Sequence, residues 1–157
     1  FYDWIALITT TTMTIVSTLL NISTVESIDI YDVTEKVQTF INEQGIQSGQ
    51  ALIFSRHTST ALAINEYENR LLTDIKTYLR KLAPPEGKYL HNDLHLRVVP
   101  PDAPENAHSP LMAMPLSTSE IVPIVEGKLA LGTYQSIMFI ELDGPRQRTL
   151  LVQTTGD

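Results

Sequence analysis

From Ile121 to Thr154 the chain is a series of short apolar runs cut by turn residues. Ile121 to Val125, Lys128 to Leu131, Ser136 to Leu142 and Arg148 to Thr154 are separated by Glu126-Gly127, by Gly132 and by Asp143-Gly144-Pro145. Runs this short, rich in β-branched residues and bounded by Gly and Asp-Gly, read as strands joined by tight turns. Strands packed this closely must bury their apolar residues against another layer, so the rest of the chain has to supply one.

The N-terminal part offers both more strand and two helices. Thr14 to Ile22 reads as a strand, and Ile28-Asp29-Ile30-Tyr31 alternates in the same way. Asp32-Val33-Thr34-Glu35 has the form of a capping box, and Val33, Val37, Phe40 and Ile41 follow at helical spacing up to Gly45. Gln50 to Arg56 reads as a buried strand leading into His57, with Thr60 to Ile64 continuing it after a bend. From Glu66, the residues Leu71, Leu72, Ile75, Leu79 and Leu82 mark one face of a second helix, stopped by Pro84-Pro85. Residues 84–110 hold six prolines and read as a long ordered loop. The expectation is an α+β fold: one strand-rich, sandwich-like domain of about seven strands with about two helices packed outside.

Composition narrows the function. A chain of 157 residues with 43% hydrophobic and 18% charged content is long enough for one real core. Its net charge of −7 argues against nucleic acid or an anionic membrane as a partner, because phosphate surfaces need clustered Lys and Arg. The absence of cysteine removes disulfides, thiolate zinc sites and cysteine nucleophiles, and fits a reducing, cytoplasmic compartment. Residues 1–8 are largely apolar but carry Asp3, lead through four threonines to Met13, and precede any Lys or Arg, the first being Lys36. Residues 1–12 read as an N-terminal extension forming a peripheral or extra strand, with a membrane anchor as the lesser alternative.

All four histidines fall between residues 57 and 108, each beside hydroxyl, amide or carboxylate residues. Imidazole is the commonest ligand for divalent transition metals and the side chain most easily tuned for proton transfer. His57 ends an apolar strand, a rigid mounting, and is followed by Thr58-Ser59-Thr60, whose hydroxyls suit a phosphate oxygen. The alternative is a strand-end histidine held by a neighbouring carbonyl. His91, Asp93 and His95 would share one face of an extended segment, as chelators or as a polar loop face. Glu66 suits a general base, or equally a helix N-terminal carboxylate set against the macrodipole. Gln135 belongs to Gly132-Thr133-Tyr134-Gln135 at a strand end, and Arg146 and Arg148 are forks suited to an anionic group.

Taken together these motifs resemble a known family. His57-Thr58-Ser59-Thr60-Ala61-Leu62-Ala63-Ile64-Asn65-Glu66 is similar to its HTTAALTINE segment, and Tyr89-Leu90-His91-Asn92-Asp93 to its YxHDD segment. Glu105-Asn106-Ala107-His108-Ser109 resembles ENAHSH, and the stretch from Gly127 to Gln135 with Glu141 to Arg146 resembles GxLxLGTWQ and ExDGPR. These are signatures of the YjbQ-like proteins, often labelled secondary thiamine-phosphate synthases. The resemblance runs over residues 13–157 and leaves residues 1–12 outside.

The resemblance implies a homotrimer and a divalent metal ion on the histidines, zinc in the first place, with magnesium as the alternative for a pyrophosphate substrate. It implies a transferase joining a pyrimidine pyrophosphate to a thiazole phosphate. Carried onto this chain, His57, His91 and His108 are the metal candidates and Glu66 the catalytic acid–base. Thr58, Gln135, Arg146 and Arg148 are the candidates for holding a small anionic substrate. The chain also departs from the pattern. The last histidine of ENAHSH falls at Pro110, Pro115 and Ser117 interrupt the following LLG run, and Tyr134 replaces a tryptophan. With proline at a ligand position, two readings stand: a metal-dependent synthase impaired at one ligand, or a noncatalytic trimeric protein that binds a small molecule or metal.

Overall fold

The run Ser136-Ile137-Met138-Phe139-Ile140-Glu141 has no polar face, and the structure puts it where none is required. In the computed structural model, which describes residues 12–157, this segment is the middle strand of a small sheet covered on both sides. The elements in chain order are β1 (Thr14–Ser23), β2 (Asp29–Asp32), α1 (Thr34–Gln44), β3 (Ser48–Ser55), β4 (Thr60–Asn65), α2 (Asn69–Leu82), α3 (His108–Ala113), β5 (Ser119–Val125), β6 (Lys128–Leu129), β7 (Ser136–Glu141) and β8 (Gln147–Gly156). Two 3-10 turns, Leu90–Asn92 and Leu94–Leu96, lie between α2 and α3.

Two antiparallel sheets face each other. The larger has the order β1-β8-β3-β5-β6 and the smaller the order β2-β7-β4. Between them Ala51, Ile53, Val122, Leu150 and Val152 of the large sheet meet Leu62, Ile137 and Phe139 of the small one. Val37, Phe40 and Ile41 of α1 join the same core. On the other side of the small sheet, Ala61, Met138 and Ile140 pack under Leu72 and Leu79 of α2 and Met112 of α3. Each fully buried Ile, Leu or Phe stabilises the fold by about 1.5–3 kcal/mol relative to exposure. A strand with apolar residues on both faces is therefore worth most in the centre, where β7 sits.

The outer face of the large sheet is left open and mixes apolar residues with polar ones, among them Ser17, Gln50 and Gln153. Leu19, Leu151 and Phe54 stand in register across β1, β8 and β3, and Leu52 faces Ile121 across β3 and β5. Ile15, Ile121 and Val125 are each more than half exposed there.

The expected α+β class and the sandwich with outside helices hold, with more elements than the sequence suggested: eight strands and three helices among the described residues. The third helix falls partly in the stretch read as loop. Pro110 occupies its third position, where a missing backbone N–H leaves no helical hydrogen bond unmade, and the helix ends at Ala113, before Pro115. The capping box is also built differently. Asp32 Oδ1 accepts from the Thr34 N–H (2.9 Å) ahead of α1, whose cap residue, Val33, makes no side-chain bond. Gly45 closes α1 in the left-handed conformation, as its position suggests (φ 70°). The extension inferred for residues 1–12 lies, Thr12 apart, outside the described residues.

Candidate functional site

One end of the β4–β7 ladder is held by a buried ion pair. Arg148 is on β8 in phase with Leu150 and Val152, so strand alternation turns it inward. Its Nε donates to Glu141 Oε2 (2.8 Å), and its Nη2 donates to Glu141 Oε1 (2.6 Å) and to Ser59 Oγ (3.0 Å). The backbone N–H groups of Leu142 and Asp143 and the hydroxyl of Thr24 also donate to the Glu141 carboxylate. Burial pushes that carboxyl up, but the Arg148 guanidinium, the Asp143 N–H and the Thr24 hydroxyl outweigh it and hold the group below its usual range. The structure thus places Arg148, a candidate for substrate, inside the protein on Glu141. Glu141 itself carried a sequence signal that was missed: an acid at the end of an otherwise apolar run, opposite an inward-phased arginine.

This pair fixes the turn that carries His57. Ser59 receives Arg148 from one side and accepts the Leu142 N–H at its carbonyl (3.1 Å), and Ser55 and Thr60 hydroxyls bond across the neck of the turn (2.5 Å). His57 Nε2 lies 3.2 Å from the Thr149 N–H nitrogen and 3.1 Å from the Thr149 carbonyl oxygen. Nε2 accepts from that N–H when the ring proton is on Nδ1, and donates to the carbonyl when the proton is on Nε2. Thr58 beside it is exposed.

The segment from Asn106 to Ser109 is fastened to the same end. Asn106 Nδ2 donates to Asp143 Oδ2 (2.6 Å), which also receives Arg146 Nη2 (2.7 Å), while Arg146 Nε donates to the Asp143 carbonyl (2.9 Å). The Ala107 N–H reaches Asn92 Oδ1 (3.0 Å), and Ser109 Oγ reaches the Leu142 carbonyl (2.6 Å). Four separate motifs therefore converge. Asp143, Asn106 and Asn92 were not singled out from sequence, where Asp143-Gly144 reads as ordinary turn chemistry.

Two cavities open at this end and share a wall. One, of about 310 Å³, is lined by His57, Thr58, Thr60, Pro110, Met114 and neighbours. The other, of about 540 Å³, is lined by Lys88, Tyr89, His91, Pro110, Leu111, Met114 and neighbours. Pro110 and Met114 belong to both, so the residue at the family's histidine position stands between His57 and His91. His108 is not among the residues walling either cavity, and its Nδ1 is buried without a hydrogen-bond partner.

The extended face expected for His91, Asp93 and His95 is replaced by two 3-10 turns, in which backbone bonds run from Asp93 N to Leu90 O and from Leu96 N to Asp93 O. Side chains then repeat every three residues rather than every two, and the three do not align. His91 lines the apolar cavity, while Asp93 and His95 line a separate polar cleft with Glu105 and Lys88.

As a metal site the donor set does not fit within one chain. Pro110 offers no donor at the motif's histidine position, and among the described residues no three His, Asp or Glu side chains lie together to hold an ion.

Glu66 and Gln135 lie elsewhere. The ladder runs from Thr60↔Glu141 to Asn65↔Ser136, so both residues sit just past its other end and are exposed. Gln135 Oε1 accepts the Gly132 N–H (2.8 Å). The carboxylate at the N-terminus of α2 is Glu68, whose oxygens accept the Arg70 and Leu71 N–H groups (3.0 and 2.9 Å) and whose pKa they lower.

The fold and its converging loops define a two-sheet α+β protein with a histidine-lined pocket at one end of the sandwich. No helix among the described residues is long and apolar enough to cross a membrane. The chain belongs to the UPF0047, YjbQ-like family, whose model matches residues 18–157. It is 39% identical to a UPF0047 protein of Methanothermobacter thermautotrophicus over 87% of this chain and 90% of that one. It is 32% identical to the UPF0047 protein YugU of Bacillus subtilis over 87% of this chain and 97% of the relative. Among solved structures, a YbjQ-like protein of unknown function from Sulfolobus solfataricus superposes with a TM-score of 0.84 at 33% identity, over 93% of this chain and 100% of that one. A hypothetical protein from Aeropyrum pernix does so with a TM-score of 0.81 at 34% identity, over 90% and 98%.

Proposed function

We infer that this protein binds a small, phosphate-bearing molecule in the pocket divided by Pro110, without the full metal chemistry that the histidine motifs suggest. The observation that supports this is the wall shared by the two cavities: Pro110 stands between His57 and His91. The exposed Arg56 and Thr58 beside His57, and Lys88 beside His91, offer charge and donors to an anion, while Leu111 and Met114 offer an apolar seat for its body. Arg146 is at the same end but already engaged with Asp143. Residence in the cytoplasm and a homotrimeric assembly belong to this reading, supported by the cysteine-free sequence and by the exposed Ile15, Leu19, Phe54 and Ile121 of the large sheet.

A second reading, a metal-dependent thiamine-phosphate-synthase-type transferase, is favoured by the retention of His57, Glu66, Gln135 and Arg146 at their motif positions. Its ion would be zinc, or magnesium accompanying a pyrophosphate. Metal content of purified protein separates the two. The first reading expects the wild type to carry well under one zinc per chain and Pro110→His to gain it, with pyrophosphate binding detectable by calorimetry in both. Stoichiometric zinc in the wild type, lost in His57→Ala, overturns the first reading in favour of the second.

A further inference from the structure

Leu90, Leu111 and Met114 are large apolar side chains left 88%, 45% and 79% exposed, and all three wall the same cavity of about 540 Å³. A single exposed apolar residue needs no explanation. Three that converge on one concavity, together with a lysine and a histidine, have the make-up of a ligand seat.

The other polar groups of that wall are engaged elsewhere. The Tyr89 hydroxyl donates to the Pro84 carbonyl (2.9 Å), and Arg97 Nη1 donates to the His91 carbonyl (2.6 Å). The Ala107 N–H goes to Asn92 Oδ1 (3.0 Å), the Leu111 N–H to the Ala107 carbonyl (3.3 Å), and Pro110 has no N–H. The side chains left to meet a polar group of a ligand are the Lys88 ammonium and the His91 ring. Lys88 also borders the cleft that holds Asp93 and Glu105. Among the described residues, however, the ion pairs join Lys76 to Asp29, Arg146 to Asp143 and Arg148 to Glu141, and Lys88 has no such partner. One polar corner and an apolar remainder suit a molecule with one anionic head. A nitrogen heterocycle laid over Leu90, Leu111 and Met114 would leave its ring donors and acceptors dry and unpaired, a cost that a hydrocarbon does not bear.

We propose that this cavity takes a phosphate monoester with a plain hydrocarbon body. The phosphate sits on Lys88 and His91, the chain lies over Leu90, Leu111 and Met114, and Met114 is the residue that selects for it. An unbranched, flexible thioether adapts to such a chain, and Met114 also walls the His57 cavity, so it meets the body of a ligand in either lobe. This rests on the reading of the pocket as a phosphate-binding site, and departs from the pyrimidine and thiazole bodies that the family resemblance implies.

The test is calorimetric titration of the full chain with methyl phosphate, hexyl phosphate and a pyrimidinylmethyl phosphate. Hexyl phosphate is expected to bind at least about tenfold tighter than methyl phosphate, and the pyrimidinyl ester no better than methyl phosphate. Met114→Gln, at an exposed position and checked for native circular dichroism, brings the hexyl-to-methyl ratio toward one. Lys88→Gln weakens both esters and keeps the ratio. Equal affinities for the two alkyl esters in the wild type, a pyrimidinyl ester that binds tightest, or a ratio unmoved by Met114→Gln each overturns the proposal. So does an assembly in sedimentation that Met114→Gln dissociates, because another copy would then cover the seat. Pyrophosphate binding without a hexyl advantage removes the ester class and leaves the binding reading in place, whereas no binding of pyrophosphate or of any ester removes both.

Discussion

The two ends of the β4–β7 ladder carry equally conspicuous motifs and are built in opposite ways. At the His57 end every loop is tied down: Glu141 to Arg148, Ser59 to Arg148, Asn106 and Arg146 to Asp143. At the other end Glu66 and Gln135 are exposed, and the Gln135 side chain does no more than close its own turn on Gly132. Rigid support from surrounding residues is what holds a binding group in place. The first end is assembled within the chain, whereas the second presents its groups outward, to whatever comes against it.

The comparison is broken most severely by removing the ion pair. Arg148→Met leaves the Glu141 carboxylate buried and unpaired, and should cost about 3–5 kcal/mol in urea denaturation. The double variant Arg148→Met/Glu141→Leu should recover much of that, because the uncompensated charge goes with its partner. Equal loss in single and double variants would show that packing, not charge, holds this end. The pair also sets a pH dependence. Glu141 is held low in the folded state, so the unfolded chain binds the extra proton. The stability it contributes is full above the ordinary carboxylate value of about 4.3 and falls away as pH drops below it toward the lower folded value. Denaturation midpoints measured downward from pH 6 should fall less steeply in Glu141→Gln than in the wild type.

A smaller effect is expected at Asp143, which ties the Asn106 segment and Arg146 to the end of β7. Asp143→Ala should lose about 1–2 kcal/mol, since hydrogen bonds to a charged group are at stake and the site is partly exposed. Its sharper readout is local. Amide exchange at Ala107 and Ser109 should accelerate while the β7 amides keep their protection. Uniform acceleration across the domain would mean that the loop has no separate anchorage.

How much of this was legible follows from which physical signal each residue sends. The double-sided apolar run of β7 and the one-sided stripe of α2 determine their places almost alone. The motifs around His57 and Asn106 marked the end where the cavities open. Arg148 was misjudged because an arginine two residues from Arg146 reads as part of a basic spot. Its phase with Leu150 and Val152 already pointed it inward. The histidines at 91 and 95 were read with a period of two where the backbone chose three, a choice made by prolines and turns that leave no apolar periodicity to read. Glu66 and His57, nine residues apart in one motif, are separated by the whole length of β4, a distance that the strand read over Thr60 to Ile64 already implied.

The finest contrast lies between two glutamates at the open end. Glu68 accepts two backbone N–H groups at the start of α2, so Glu68→Ala should lower the melting temperature through the loss of a helix cap. Its carboxyl is lowered by those same bonds, so the capping contribution fades as pH falls through the carboxylate range. Glu66 is exposed and stands before the helix, so Glu66→Ala should shift stability by no more than about 0.5 kcal/mol. If thermal melts instead rank Glu66 with Glu68, Glu66 is part of the scaffold and has no side chain to offer a ligand.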